Sequence, residues 1–215
     1  MKKMNHNSEK EILKKLQAEA EESITFFSNQ NKQERERAVC AAFLRCIGVN
    51  FNREDILPGK EEPIDIEFQG ARFQIKELMD PGRKRHDEYK KALEKYKNSE
   101  SLSELIEQFS PMFAQIQKIC YCLVGFLKPY ASKLGKELCA QVDILVYVNL
   151  QEYFSKDEDN VIDYSGLVQQ NWRSVSMVSG DFCYIFYASE TSPVFLKRFQ
   201  KQIRKEFTGS DLFEI

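Results

Sequence analysis

The chain has 215 residues, 42% hydrophobic, 30% charged and 12% aromatic, the make-up of an ordinary globular protein long enough to bury a core as one domain. Thirty-one basic residues against 33 acidic ones leave a formal charge of −2, which excludes a uniformly basic nucleic-acid coat, so phosphate-binding charge has to be clustered. The start, MKKMNHNSEKEILKKLQ, has no apolar h-region, and the longest apolar run, CYCLVGFL at 120–127, is far too short to span a bilayer, so the expectation is a cytoplasmic protein.

Residues 8–27 read as an amphipathic helix with Ile12, Leu16, Ala20 and Ile24 on one stripe and Ser8 at its start. A second helix is expected over 33–47, ending at Gly48. The segment 49–53 reads as a short strand and ILPGKEE as a loop, followed by a hairpin over 63–78. A helix is expected from Asp80-Pro81, with Pro at its first position. Ser110-Pro111 and Ser192-Pro193 carry the same start signature. The apolar run VDILVYVNL (142–150) predicts a strand central in a sheet. WRSVSMV and FCYIFYAS predict a second hairpin, and a last helix runs from Pro193 with Phe195, Phe199, Ile203 and Phe207 toward the core.

Cys40, Cys46, Cys120, Cys122, Cys139 and Cys183 lie mostly within apolar periodic segments, and neither His6 nor His86 is near a cysteine cluster. Buried free thiols are expected here, not a zinc site or disulfides.

The hairpin PIDIEFQGARFQIKEL is the informative stretch. A two-residue Gln69-Gly70 turn sets Phe68 opposite Ala71, Glu67 opposite Arg72, Ile66 opposite Phe73, Asp65 opposite Gln74 and Ile64 opposite Ile75. Ile64, Ile66, Phe73 and Ile75 then share a buried face, and Glu67 and Arg72 form a cross-strand ion pair. On the second face Asp65, Gln74 and Lys76 converge, while Glu77 points away. Upstream, Glu36 shares a helical stripe with Cys40, Phe43 and Ile47, where a carboxylate is costly unless paired. Two carboxylates brought together without an arginine between them suit a divalent cation.

A helix with an acid, then P-x-D, a β-turn and Q-x-K, resembles the PD-(D/E)XK nuclease superfamily, with Pro63-Ile64-Asp65 and Gln74-Ile75-Lys76 as its two elements. More narrowly, RERAVCAAFL, GVNFNRED and EPIDIEFQGARFQIKEL, within roughly residues 8–97, are similar to a small bacterial family of unknown function described as endonucleases. The resemblance implies an α/β (α+β) fold with a restriction-endonuclease-like core, a mixed β-sheet flanked by helices. It implies an N-terminal helical extension over 1–30 and a single nuclease-like domain over 31–215, its motif-bearing core near 33–150 and a C-terminal hairpin and helix over 172–215. The implied activity is hydrolysis of phosphodiester bonds, of DNA. Asp65, the Gln74 side-chain oxygen, the Ile75 carbonyl and Glu36 would hold Mg²⁺, with Mn²⁺ as a substitute, and Lys76 would position the attacking water. Arg83, Lys84 and Arg85 are the expected nucleic-acid contacts, and a homodimer would suit cutting both strands. Gln74 replaces the usual second acid, so a nuclease-fold module without catalysis, binding nucleic acid or a protein partner, stays open.

Overall fold

The computed structural model describes residues 6–106, 112–150, 152–154, 161–180 and 182–205. The chain divides into two compact units, Met1–Arg35 with Pro81–Ser110, and Glu36–Asp80 with Pro111–Ile215. The return of the chain to the first unit at 81–110 has no counterpart in a division drawn at residue 30. No described helix is long and apolar enough to cross a membrane.

The first unit is built on α1 (His6–Phe26) and α3 (Arg85–Asn98), which pack together. Leu13 and Ala20 are the buried residues of α1, while Ile12 is exposed, one position off the expected stripe. Phe27 stacks on Tyr89 with centroids 5.2 Å apart, and Gln17 Nε2 donates to Tyr96 O at 3.0 Å. The helix expected from Asp80 begins instead at Arg85. Gly82, at φ 82°, is left-handed directly after Pro81, which turns the chain before a helix can start.

The second unit contains a seven-stranded mixed sheet, order β1-β2-β3-β5-β7-β8-β9. Its strands are β1 (Leu57–Pro58), β2 (Ile66–Phe68), β3 (Ala71–Met79), β5 (Asp143–Asn149), β7 (Ser174–Ser179), β8 (Phe182–Ala188) and β9 (Ile203–Lys205). β4 (Met112–Ala114) and β6 (Glu152–Phe154) form a separate parallel pair that the sequence did not announce. β5 is central and parallel to both β3 and β7, as its continuous apolar run requires. Helix α2 (Lys32–Ile47) covers one sheet face, with Cys40, Phe43 and Ile47 packed over Ile66, Phe73 and Ile185. Helix α4 (Ile116–Leu134) covers the other, with Ile119, Leu123 and Leu127 over Ile144, Val146 and Phe186. Each such side chain stabilises the fold by roughly 1.5–3 kcal/mol relative to exposure.

Residues 49–53 form no strand, because Asn52 N–H donates to Asp55 Oδ2 at 2.8 Å and opens a 3₁₀ turn; the first strand is β1. Ser110 and Pro111 lie outside the described residues, and α4 starts at Ile116. The last helix, α7 (Val194–Arg198), is one turn long. Lys201 takes φ 60°, which ends helical continuation, and 203–205 become the edge strand β9; Phe207 lies outside the described residues. Arg72 and Glu67 are cross-strand partners, but the guanidinium of Arg72 reaches Glu61 at 2.6 Å, and Glu67 meets Lys60 at 3.7 Å.

The first residue of β5 anchors the sheet. Asp143 has no exposed surface, and its carboxylate accepts from Arg72 N–H at 2.9 Å, Ser174 Oγ at 2.7 Å and the guanidinium of Arg173. Arg173 Nη2 donates in turn to Gly70 O in the hairpin turn at 2.9 Å. All six cysteines are free thiols, and Cys122 is the exposed one. Burial, with the nearby charge of Asp163, pushes the Cys120 thiol up to about 12, and burial raises Cys40 further.

Arg173→Leu leaves a buried carboxylate without its cation and is expected to cost about 3–5 kcal/mol, read as a fall in Tm on the order of 10 °C. Arg72→Ala keeps the backbone donor to Asp143 and loses a surface ion pair, so its cost stays below about 1 kcal/mol in the same melt. At pH 8 a thiol reagent is expected to modify Cys122 in the native protein, and the five buried thiols only after unfolding, as peptide mass spectrometry will show.

Candidate functional site

The Gln69-Gly70 turn has φ 42° and 80°, the paired left-handed geometry that a two-residue hairpin requires. The register is as the sequence predicts for Ile66↔Phe73, Glu67↔Arg72 and Phe68↔Ala71. It stops there. Asp65 N–H donates to Phe73 O at 2.9 Å instead of pairing on toward Gln74, so the chain before Ile66 leaves strict alternation. Ile64 accordingly packs in the α4-side cluster, not with Ile66 and Phe73 as expected. Gly59 holds this departure in place. Its N–H donates to Asp65 O at 2.9 Å, and a Cβ at residue 59 would lie 1.9 Å from Ile64 O, so the backbones meet where only glycine fits.

β3 therefore runs on from Gln74 to Met79 with β5 on one edge and no described strand on the other. Asp65 fills the first open position, its Oδ2 accepting from Ile75 N–H at 2.8 Å. Within a strand the N–H and C=O of one residue point to the same edge, so the Ile75 carbonyl is directed there too. Gln74 and Lys76 flank Ile75 and leave β3 on the α4 face, the face of Leu78. Lys76 Nζ stands 5.1 Å from the centroid of Tyr130 on α4, a cation–π contact worth about 0.5–2 kcal/mol. Gln74 is 7% exposed, and its Oε1 is buried with no hydrogen-bond partner among the described residues.

Glu36 sits half-buried on the stripe of α2 that carries Cys40, Phe43 and Ile47. Because α2 covers the Phe73 face while Gln74 and Lys76 leave β3 on the α4 face, Glu36 is carried on the opposite side of the sheet from that pair. Glu77 points away from Lys76, as expected, and accepts from Asn149 Nδ2 at 3.1 Å. Arg83 and Arg85 belong to the other unit and are engaged within it. Arg83 makes a two-pronged pair with Glu88 at 2.7 and 2.9 Å, and the Arg85 guanidinium lies 4.2 Å from the Phe27 ring centroid. Lys84 is exposed just before α3. Among the described residues no three His, Cys, Asp or Glu side chains gather as a metal site. Tyr130 was missed from sequence; nothing in its neighbourhood marks it as the partner of a lysine more than fifty positions away.

The fold has a solved counterpart. The structure of a protein of unknown function from Pseudomonas aeruginosa strain PAO1, described as belonging to the Monooxygenase Superfamily, is 25% identical, with a TM-score of 0.65 over 93% of this chain and 96% of that one. Together with the topology this establishes a mixed α/β fold with helices flanking a seven-stranded sheet; a restriction-endonuclease-like core rests on the motif residues alone. No curated protein matches the chain. The sequence profile of one family covers nearly the whole chain, residues 8–209, and the protein belongs to that family, described as "Putative endonuclease, protein of unknown function (DUF1780)".

Proposed function

We propose that this protein is a metal-dependent endonuclease that hydrolyses phosphodiester bonds of DNA at the open edge of β3, in a restriction-endonuclease-like arrangement of β2, β3 and β5. The observation that carries the reading is the orphaned oxygen of Gln74. A buried carbonyl oxygen without a partner costs roughly 1–3 kcal/mol, and a cation would supply what is missing. The donor set fits Mg²⁺ or Mn²⁺. Asp65 offers a carboxylate with capacity left after accepting one amide, Gln74 and Ile75 offer neutral carbonyl oxygens, and all are hard ligands. Glu36 would join from the α2 side of the edge.

A divalent cation bound there supplies Lewis acidity against the scissile phosphate. Lys76, carrying three donor hydrogens on Nζ and braced against Tyr130, orients the attacking water and meets the charge that develops on the non-bridging oxygens. Water adds to phosphorus, one ester oxygen leaves with a proton, and the products are a phosphomonoester and a hydroxyl end. A second reading, a nuclease-like module that binds without cutting, is favoured by one feature: Asp65 Oδ2 already serves the backbone of Ile75.

Cleavage of supercoiled, linear and single-stranded DNA in Mg²⁺ or Mn²⁺ decides between them. Lys76→Ala and Asp65→Asn are each expected to lower the rate at least about 100-fold with the circular dichroism unchanged. No cleavage by the parent protein on any of the three substrates would select the binding module. Gln74→Met removes the orphaned oxygen at similar volume. It should leave the metal-free Tm unchanged or raise it by up to about 1 kcal/mol of stability, while abolishing the rise in Tm that millimolar Mg²⁺ or Mn²⁺ gives the parent. A parent Tm indifferent to both ions would sink the cation site.

A further inference from the structure

The face of α4 turned away from the sheet has a composition unlike that of the other long helices. Its 19 residues, IQKICYCLVGFLKPYASKL, contain Lys118, Lys128 and Lys133 and no Asp or Glu, whereas α1, α2 and α3 each mix both signs. In a chain with 33 acidic residues and a net charge of −2, that is a local reversal of sign. At 100° per residue Tyr121, Gly125 and Lys128 fall on the side opposite the buried Ile119, Leu123 and Leu127, while the exposed Lys133 lies on the flank of the helix next to Phe126. Tyr121 is 61% exposed, although an aromatic ring gains nothing from standing in water. At Gly125, between Tyr121 and Lys128, an added Cβ would meet nothing within 4 Å, so the middle of this face is low and open. The flank of the helix joins it to the proposed centre. Phe126 packs edge-on against Tyr130 at 5.6 Å, and Tyr130 carries the ammonium of Lys76 over its ring.

We propose that the outer face of α4 is the track that delivers a single DNA strand to the Ile75 edge, with Lys128 and Lys133 on backbone phosphates and Tyr121 stacking on an unpaired base. This rests on the reading of Asp65, Gln74 and Lys76 as a phosphodiesterase centre. Lysines without intervening carboxylates match the phosphate charge, and an exposed ring is useful only to a base whose π-face is free, which a continuous duplex does not offer. The helix is about 28 Å long, enough for roughly four nucleotides, the low end of single-strand site sizes. Arg83 and Arg85, the basic run legible in the sequence, are already engaged by Glu88 and Phe27.

Fluorescence anisotropy with a labelled 12-nucleotide single strand, and with the same sequence as a duplex, tests the track in EDTA, where cleavage plays no part. The parent is expected to bind the single strand more tightly than the duplex. Lys128→Glu/Lys133→Glu should weaken single-strand binding at least tenfold and lower the slope of log K against log salt by about 1.4. Tyr121→Ala should weaken it about 5- to 150-fold with the slope unchanged. All three side chains replaced are exposed, so the melting temperatures of the variants should match that of the parent. The proposal is overturned if the parent shows no single-strand binding, if it prefers the duplex, or if the α4 variants bind like the parent. The centre is judged separately. Cleavage that depends on Lys76 but is indifferent to Lys128, Lys133 and Tyr121 leaves the centre standing without the track. Lost binding in the α4 variants beside cleavage indifferent to Lys76 leaves the track without the centre.

Discussion

A carboxylate with no contact with solvent, at the first residue of the central strand, holds the sheet in phase. Asp143 gathers a backbone amide of β3, a hydroxyl of β7 and the guanidinium of Arg173, and Arg173 reaches on to the carbonyl of Gly70. Burying one charge costs several kcal/mol, and the cost is offset here because every partner is present with its geometry fixed. Three strand starts and one turn are thereby locked to a common level. With Arg72 fixed against Asp143, the period of two along β3 puts Phe73 and Ile75 under α2 and Gln74 and Lys76 under α4. The side chains of the proposed centre owe their directions to an interaction in which none of them takes part.

The same sheet generates the site by stopping early on one side. β2 pairs with only the first three residues of β3, and Gly59 lets the backbone of Ile64 approach closely enough to turn Asp65 inward. What remains is a strand edge whose polar groups have to be satisfied by something other than a strand. Asp65 does so for one amide. Gln74 Oε1, on the covered face beside it, is left without a partner among the described residues, a costly condition for a buried polar atom.

Fold and function separate in this protein. A solved neighbour with the same overall architecture is described within a monooxygenase superfamily, while the family to which the chain belongs is described by an endonuclease name. A shared sheet supports either chemistry, so the weight falls on the side chains at the open edge of β3. The clustering of positive charge on α4, against a net charge of −2, points the same way, since charge that is local and not global is what a strand-guiding surface needs.

The sequence by itself determined the elements whose cause lies within a few consecutive residues. The Gln69-Gly70 turn, the register of Ile66 to Phe68 against Ala71 to Phe73, helix α2 with its glycine stop, the central place of β5 and the hairpin of β7 and β8 all follow from periodicity and turn chemistry. Tertiary structure decided everything that required a choice of distant partner. It sent Arg72 to Glu61 instead of Glu67, paired Asp143 with Arg173 and set Tyr130 beneath Lys76. It also drew 203–205 into the sheet as an edge strand where the apolar spacing read as helix, because the left-handed Lys201 interrupts the helix and the chain beyond it meets the open edge of β8. Such choices depend on which surfaces meet once the chain has closed on itself, and no window of neighbouring residues contains that information.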